Sequence, residues 1–303
     1  MPGRSSRRLR HHAGYLLLRG LLAAGGALPL SLLRPIGRTL GGAALSLSRR
    51  ERDRARDHLR IAWPELARGE HDRLLAASAR HLGLMLAEVD WLWHATPEQV
   101  LELAPMTGGE HLERVRADGR GAVLITGHVG NWELLNARLC AGGVPMTIAV
   151  RELDDPRLDA AALRLRARHG AEVVPRGDGA GRRLLAALRA NRVVGLLIDQ
   201  DIADIPGVFV PFFGRPAWTP SGAATIAVRT GRPMVPAFIH RLPDHRHQAE
   251  VLPPLEVPEE GSVEERAERL TAAATAAIEA RIRRHPEQWV WSHRRWRTLP
   301  PGG

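Results

Sequence analysis

The sequence predicts an α/β fold, a mostly parallel central sheet flanked by helices. Short apolar runs recur along the chain, bounded by glycines or prolines. Segments of helical periodicity separate them, several with start and stop signals at their ends. Strands spaced by whole helices cannot pair as hairpins, so they imply parallel neighbours joined by right-handed crossovers.

Ser48-Arg-Arg-Glu51 has the form of a capping box, so a helix is expected to begin there and to stop before Pro64. Arg52, Arg56 and Arg60 share one of its faces, a stripe that fits either phosphate contacts or a solvated surface. Residues 71–93 form another helical pattern, with Leu74, Leu75, Ala79, Leu82, Leu86 and Val89 expected to cover the sheet. Apolar runs at 122–126, 146–150, 172–175 and 193–198 read as strands. A helix should follow residue 131, and Asp155-Pro156 starts another that Gly170 closes. Residues 182–190 make the next, and Thr219-Pro220 is expected to start a helix reaching Thr230. Residues 233–239 and 248–252 read as strands, and Ser262-Val-Glu-Glu265 caps a long helix ending near His285.

With 303 residues, 44% of them hydrophobic, the chain can bury a large core. Two parts are expected: residues 1–47, basic and then apolar, and an α/β domain over 48–303. The net charge of +10 comes from arginine alone, since all 43 basic residues are arginine. Such a surface suits a polyanion: nucleic acid, an anionic membrane or a phosphorylated lipid. Nucleic-acid binding would require aromatics interleaved with basic residues on an exposed sheet, or a recognition helix, and neither pattern is evident. The lone Cys140 excludes an internal disulfide framework and a multi-cysteine metal site, and its apolar neighbours place it in the core. Residues 15–33 are apolar behind a basic flank, but Arg19, the Gly25-Gly26 pair and Pro29 interrupt them. An interfacial anchor on the cytoplasmic face fits this segment better than a span of about 20 apolar residues.

The chemistry concentrates at His128-Val-Gly-Asn-Trp-Glu133, directly after the buried run 121–126. In open α/β sheets sites form beyond the carboxyl ends of the strands, and glycines at 127 and 130 allow the sharp turn. An imidazole held by a carboxylate is the common means of deprotonating a hydroxyl near neutral pH. His128 is therefore the candidate base and Glu133 its expected orienter, with Trp132 walling the site. A hydrogen-bonded loop histidine beside a solvated glutamate is the plainer meaning of the same spacing.

Taken in order, several phrases resemble the late acyltransferases of lipid A biosynthesis, of the lauroyl and myristoyl type. They include, in order, Arg54-Ala-Arg-Asp-His-Leu59, Trp63-Pro64-Glu65, and Gly119 through Glu133; then Val150-Arg151, Arg166 before Gly170, and Asp199-Gln200-Asp201.

 The set opens at Leu28-Pro29-Leu30 and closes with Phe212-Phe213-Gly214, Thr219 and the run from Pro286 to Trp296. The resemblance covers most of the chain. It implies a glycerol-3-phosphate-acyltransferase-like fold and transfer of an acyl group from a thioester to a hydroxyl of a phosphorylated glucosamine lipid. The implied donor is acyl-carrier protein, with a coenzyme A thioester as the alternative, in either case a co-substrate rather than a cofactor. Neither a metal nor a covalent intermediate is expected, and the implied place is the cytoplasmic face of the inner membrane.

By the same resemblance Arg166 is expected close to phosphate or the developing oxyanion, with Arg164 and Arg168 on its helix as rivals. Asp199 is expected close to an arginine or the acceptor sugar, and Arg151, Asn131 and Gln200 complete the substrate-binding set. Phe212 and Phe213 either face the acyl chain or fill the core. Gly127 and Val129 stand where many relatives carry alanine and phenylalanine, which should alter the pocket's shape and leave the base. Two readings stay open beside this one: an acyltransferase for phosphatidylinositol mannosides or glycerophospholipids using acyl-CoA, and a non-enzymatic binder of anionic membrane or nucleic acid. A serine hydrolase lacks its G-x-S-x-G elbow here.

Overall fold

The computed structural model describes residues 28–300. The basic and apolar stretch up to residue 27, on which the anchor was expected, lies outside the described residues. In chain order the elements are α1 (Leu30–Leu47), α2 (Arg49–Ala62), α3 (Arg68–Leu92), α4 (Pro97–Leu103), β1 (Met106–Thr107), α5 (Gly109–Ala117) and β2 (Ala122–Thr126). There follow α6 (Trp132–Ala141), β3 (Met146–Val150), α7 (Pro156–Arg168), β4 (Glu172–Pro175), α8 (Ala180–Arg189) and β5 (Val193–Leu197). The chain continues through β6 (Gly207–Phe212), β7 (Arg215–Pro220), α9 (Gly222–Thr230), β8 (Met234–Arg241), β9 (His247–Val251) and α10 (Val263–Arg284).

Seven strands form the central sheet in the order β1-β9-β8-β2-β5-β3-β4, parallel throughout except for the β8–β9 pair. The mostly parallel α/β expectation holds. All five residues of β2 are buried, because helices cover both faces. Val123 and Ile125 pack into the core beneath α9 and α10, while Ala122 and Leu124 pack into the opposite core with Leu134 and Leu139 of α6. A fully buried aliphatic side chain of this kind contributes about 1.5–3 kcal/mol. Together these layers hold the carboxyl ends of β2 and β5 rigidly side by side, with Thr126 in register with Leu197.

Three local expectations need correction. Thr219-Pro220 does not open a helix: it ends β7, which pairs antiparallel with β6, and α9 starts only at Gly222. The turn joining these strands places Phe213 at φ 49° and Gly214 at φ 70°, the paired positive values that match the twist of a tight hairpin. Phe212 and Phe213 are both buried, so of their two readings the structure takes core. The side chain of Ser48 makes no cap bond to the first turn of α2, and the carboxylate of Glu51 is engaged instead by Arg54 at 3.0 Å. On that helix Arg56 and Arg60 are paired with Asp72 and Asp57, which makes them part of an ion-paired surface.

Leu86 is the third correction, for it points away from the core with 57% of its surface exposed. Beside it α1 packs along α3, with Gly37 and Gly41 set against Gly83. A Cβ on Gly83 would lie 2.0 Å from the carbonyl oxygen of Gly37, so only glycine admits this approach. On α1, Leu32, Ile36 and Leu40 recur at four-residue spacing and are about half exposed. Among the described residues no helix is long and apolar enough to cross a membrane.

Candidate active site

His128 sits just past the carboxyl end of β2, and Asp199 just past that of β5, its hydrogen-bonded neighbour. The ring's Nδ1 lies 2.7 Å from Oδ1 of Asp199, and the backbone N–H of His128 donates to Oδ2 of the same carboxylate at 2.7 Å. Trp289 donates its indole N–H to Oδ2 at 2.8 Å. Burial alone would raise the Asp199 pKa, but the His128 ring and the Trp289 N–H hold it well below the usual carboxylate range. An anion there fixes the neutral ring with its proton on Nδ1 and its lone pair on Nε2. That lone pair faces the amide of Gln200 at 3.3 Å.

The carboxylate bonded to the His128 ring is therefore Asp199 and not Glu133, which corrects the expected pairing. Asp199 was expected beside an arginine or the acceptor and is instead bonded to His128. Glu133, on the first turn of α6, is clasped by Arg166 of α7 through Nη2 to Oε1 at 2.5 Å and Nε to Oε2 at 3.1 Å. Among its neighbours Arg164 and Arg168, Arg166 is thus the arginine that meets the motif. Burial alone would lower the Arg166 pKa, and Glu133 more than offsets it. Trp132, next to Glu133 in the chain, stands with its ring edge-on to His128 at 4.8 Å.

Asn131, expected in the substrate-binding set, is engaged at both ends of its amide within the fold. It is fully buried, its Oδ1 accepts from the Leu134 N–H at 3.1 Å to cap α6, and its Nδ2 donates to Glu88 at 3.1 Å. Arg151 is exposed at the end of β3, separated from β2 by β5 in the sheet, and Arg176 beyond β4 feels its charge. Val129 is 2% exposed and bridges Trp289, so its departure from the expected phenylalanine falls in the core and not on a pocket wall. Gly127 leaves room for the dyad: a Cβ there would stand 3.1 Å from Oδ2 of Asp199.

Sequence reasoning missed the contribution of the C-terminal segment. Besides Trp289, it brings His293, whose ring packs edge-on against His128 at 4.6 Å and whose Nδ1 accepts from Gln200 at 3.0 Å. Asp201 pins the segment through the backbone N–H groups of Arg297 and Thr298 at 2.9 and 2.6 Å. The fully buried Arg295 donates to Trp218 O and Thr219 Oγ1, each at 2.7 Å. Trp289 and Trp291 are each 1% exposed, so they form neither a membrane belt nor a base-stacking platform. The available signal was the clustering of tryptophan, histidine and arginine at 289–296, too far along the chain for any local rule to join it to His128.

A model of the bacterial lipid A biosynthesis acyltransferases matches residues 2–298. The chain belongs to this family. It is similar to the lipid A biosynthesis lauroyltransferase of Escherichia coli K12, 29% identical over 277 residues, covering 91% of this chain and 88% of that one. The palmitoleoyltransferase of lipid A biosynthesis from the same organism is 26% identical over the same shares of the two chains, 91% and 88%. A phosphatidylinositol mannoside acyltransferase of Mycobacterium tuberculosis is 34% identical over 170 residues, 54% of each chain. As a member of the family, the protein is an O-acyltransferase.

Acid should destabilise this fold through its histidines. Burial, the main cause in each case, pushes His81 down to about 3 and His240 and His293 down to about 4. Their unfolded pKa is about 6.5, so below that pH the unfolded chain binds protons that the folded chain refuses. The stability they contribute is complete above that value and is lost as pH falls toward 4. The urea midpoint is expected to drop across this window, with net proton uptake on unfolding at the midpoint. A flat midpoint with no uptake would mean the rings are charged in the native state.

Proposed function

We propose that the protein transfers a fatty acyl group from an acyl-carrier-protein thioester to a hydroxyl of a lipid A precursor at the cytoplasmic face of the inner membrane. The observation that carries this reading is the 2.7 Å contact between His128 Nδ1 and Asp199, which leaves Nε2 as the base. Nε2 removes the acceptor's hydroxyl proton as the oxygen attacks the thioester carbonyl carbon. The resulting tetrahedral oxyanion collapses, the C–S bond breaks, and the departing thiolate takes the proton back from the imidazolium. Asp199 stabilises that imidazolium throughout. Gln200, on Nε2 at 3.3 Å, gives way to the incoming hydroxyl.

Arg166 uses Nε and Nη2 on Glu133 and offers Nη1 to the oxyanion or to a phosphate of the acceptor. Glu133 supports the reaction by aiming this arginine. Arg151, with Arg176 beside it, suits a second phosphoryl group. The stripe of Leu32, Ile36 and Leu40, with Leu86, suits the membrane surface that holds the lipid. A phosphatidylinositol mannoside or a glycerophospholipid as acceptor, with acyl-CoA as donor, is the second reading, favoured by the M. tuberculosis relative.

The test is transfer of labelled acyl groups from acyl-carrier protein and, separately, from coenzyme A to a tetraacylated lipid A precursor and to a phosphatidylinositol mannoside. Transfer from acyl-carrier protein to the precursor is expected. Transfer to the mannoside alone would replace the proposed acceptor with the second reading.

A further inference from the structure

Behind the catalytic loop lies a polar cluster that the reaction does not touch. Its centre is Glu88 of α3, whose side chain is 0% exposed. On Oε1 it receives Arg34 Nε of α1 at 2.9 Å and Nη1 of Arg241 at the end of β8. On Oε2 it receives Arg241 Nη2 at 2.8 Å, His247 Nε2 at 3.0 Å and Asn131 Nδ2 at 3.1 Å. A carboxylate has about four lone-pair sites, so these donors saturate it. Burial opposes the Glu88 anion, but His247 and Arg241 hold its pKa well below the usual range, while burial pushes His247 down.

The cluster meets the loop at two consecutive residues. Asn131 is bonded through both ends of its amide: with Nδ2 on Glu88, its Oδ1 must face the Leu134 N–H that starts α6. Gly130 donates its N–H to Gln288 O at 2.9 Å, its carbonyl meets His81 at 3.3 Å, and Gln288 is itself bonded to the backbone of Arg241 at 2.7 Å. Gly130 has φ 64°, and a Cβ there would lie 1.9 Å from the carbonyl oxygen of Ile239, so the loop is also pressed against β8. Glu88 thus holds the loop segment between His128 and Glu133 at Asn131, while Gln288, His81 and β8 hold it at Gly130.

We propose that Glu88 is a positioning residue for acyl transfer, acting through Asn131 to fix the loop that carries His128 and the helix start that carries Glu133. This rests on the reading of His128 as the base. A misplacement of that loop by about 1 Å is enough to cost up to about 100-fold in rate.

Asn131→Ser separates positioning from helix capping, because serine caps a helix as well as asparagine but has no donor that reaches Glu88. The expected result is a fall in kcat of about 10-fold or more per folded enzyme, at little change in donor KM or melting temperature. Glu88→Gln should fall similarly, and the double variant should be no slower than the slower single one, because both break one link. Wild-type kcat in Asn131→Ser, or losses that multiply in the double variant, would overturn the proposal. If Glu88→Gln does not fold, Asn131→Ser decides alone. Full activity in His128→Ala would instead sink the reading of the base, an outcome distinguishable from either.

Discussion

Asp199→Asn is expected to abolish acyl transfer almost as completely as His128→Ala, each lowering kcat by about 10²–10⁴-fold. The argument is one of hydrogen-bond polarity. Oδ2 of Asp199 accepts from two fixed donors, the His128 backbone N–H at 2.7 Å and the Trp289 indole at 2.8 Å. An asparagine must place its single oxygen there, which turns its NH₂ toward Nδ1 of His128. The ring must then accept at Nδ1 and carry its proton on Nε2, where the base is needed. The fold should survive, since the shape is unchanged. Nitrogen chemical shifts of the imidazole should report the tautomer switch, alongside acyl transfer measured at saturating donor and acceptor. An Asp199→Asn enzyme of wild-type kcat with its proton still on Nδ1 would refute this account.

The sheet was legible because its strands are buried on both faces, and so they appear as uninterrupted apolar runs such as Ala122–Thr126. Helix ends were legible where a cap and a proline coincide, as at Asp155-Pro156, whose carboxylate accepts from the Arg157 N–H at 2.9 Å. The hairpin of β6 and β7 was not, because Phe212 and Phe213 carry no information about the positive φ that makes their turn. In the site, the strand-end rule found His128 and Asp199 separately. What it could not supply was the lateral order β2-β5, which makes them neighbours. Proximity in sequence favoured Glu133, five residues away, over Asp199, which is 71 positions away and only 2.7 Å distant. The buried bond of Asn131 was hidden for a similar reason: its partner Glu88 lies 43 positions upstream.

Arg166→Met is expected to lower kcat/KM by about 10²–10³-fold, the usual loss when one donor to a developing oxyanion is removed. Both side chains of the Arg166–Glu133 pair are mostly buried, at 18% and 14% exposure, so solvent cannot replace the missing charge. Lysine should not rescue the function. Its ammonium is a point charge and cannot bridge both oxygens of Glu133 while keeping a third nitrogen free for substrate. Glu133→Gln should cost less than Arg166→Met, because the guanidinium remains and loses only its aim. The order of these losses separates two roles for the glutamate: were Glu133 itself the orienter of His128, its loss would match that of His128→Ala and Arg166→Met would be mild. Steady-state kinetics with varied acceptor then assigns the arginine. A fall confined to kcat places Nη1 on the oxyanion, whereas a rise confined to the acceptor's KM places it on a phosphate.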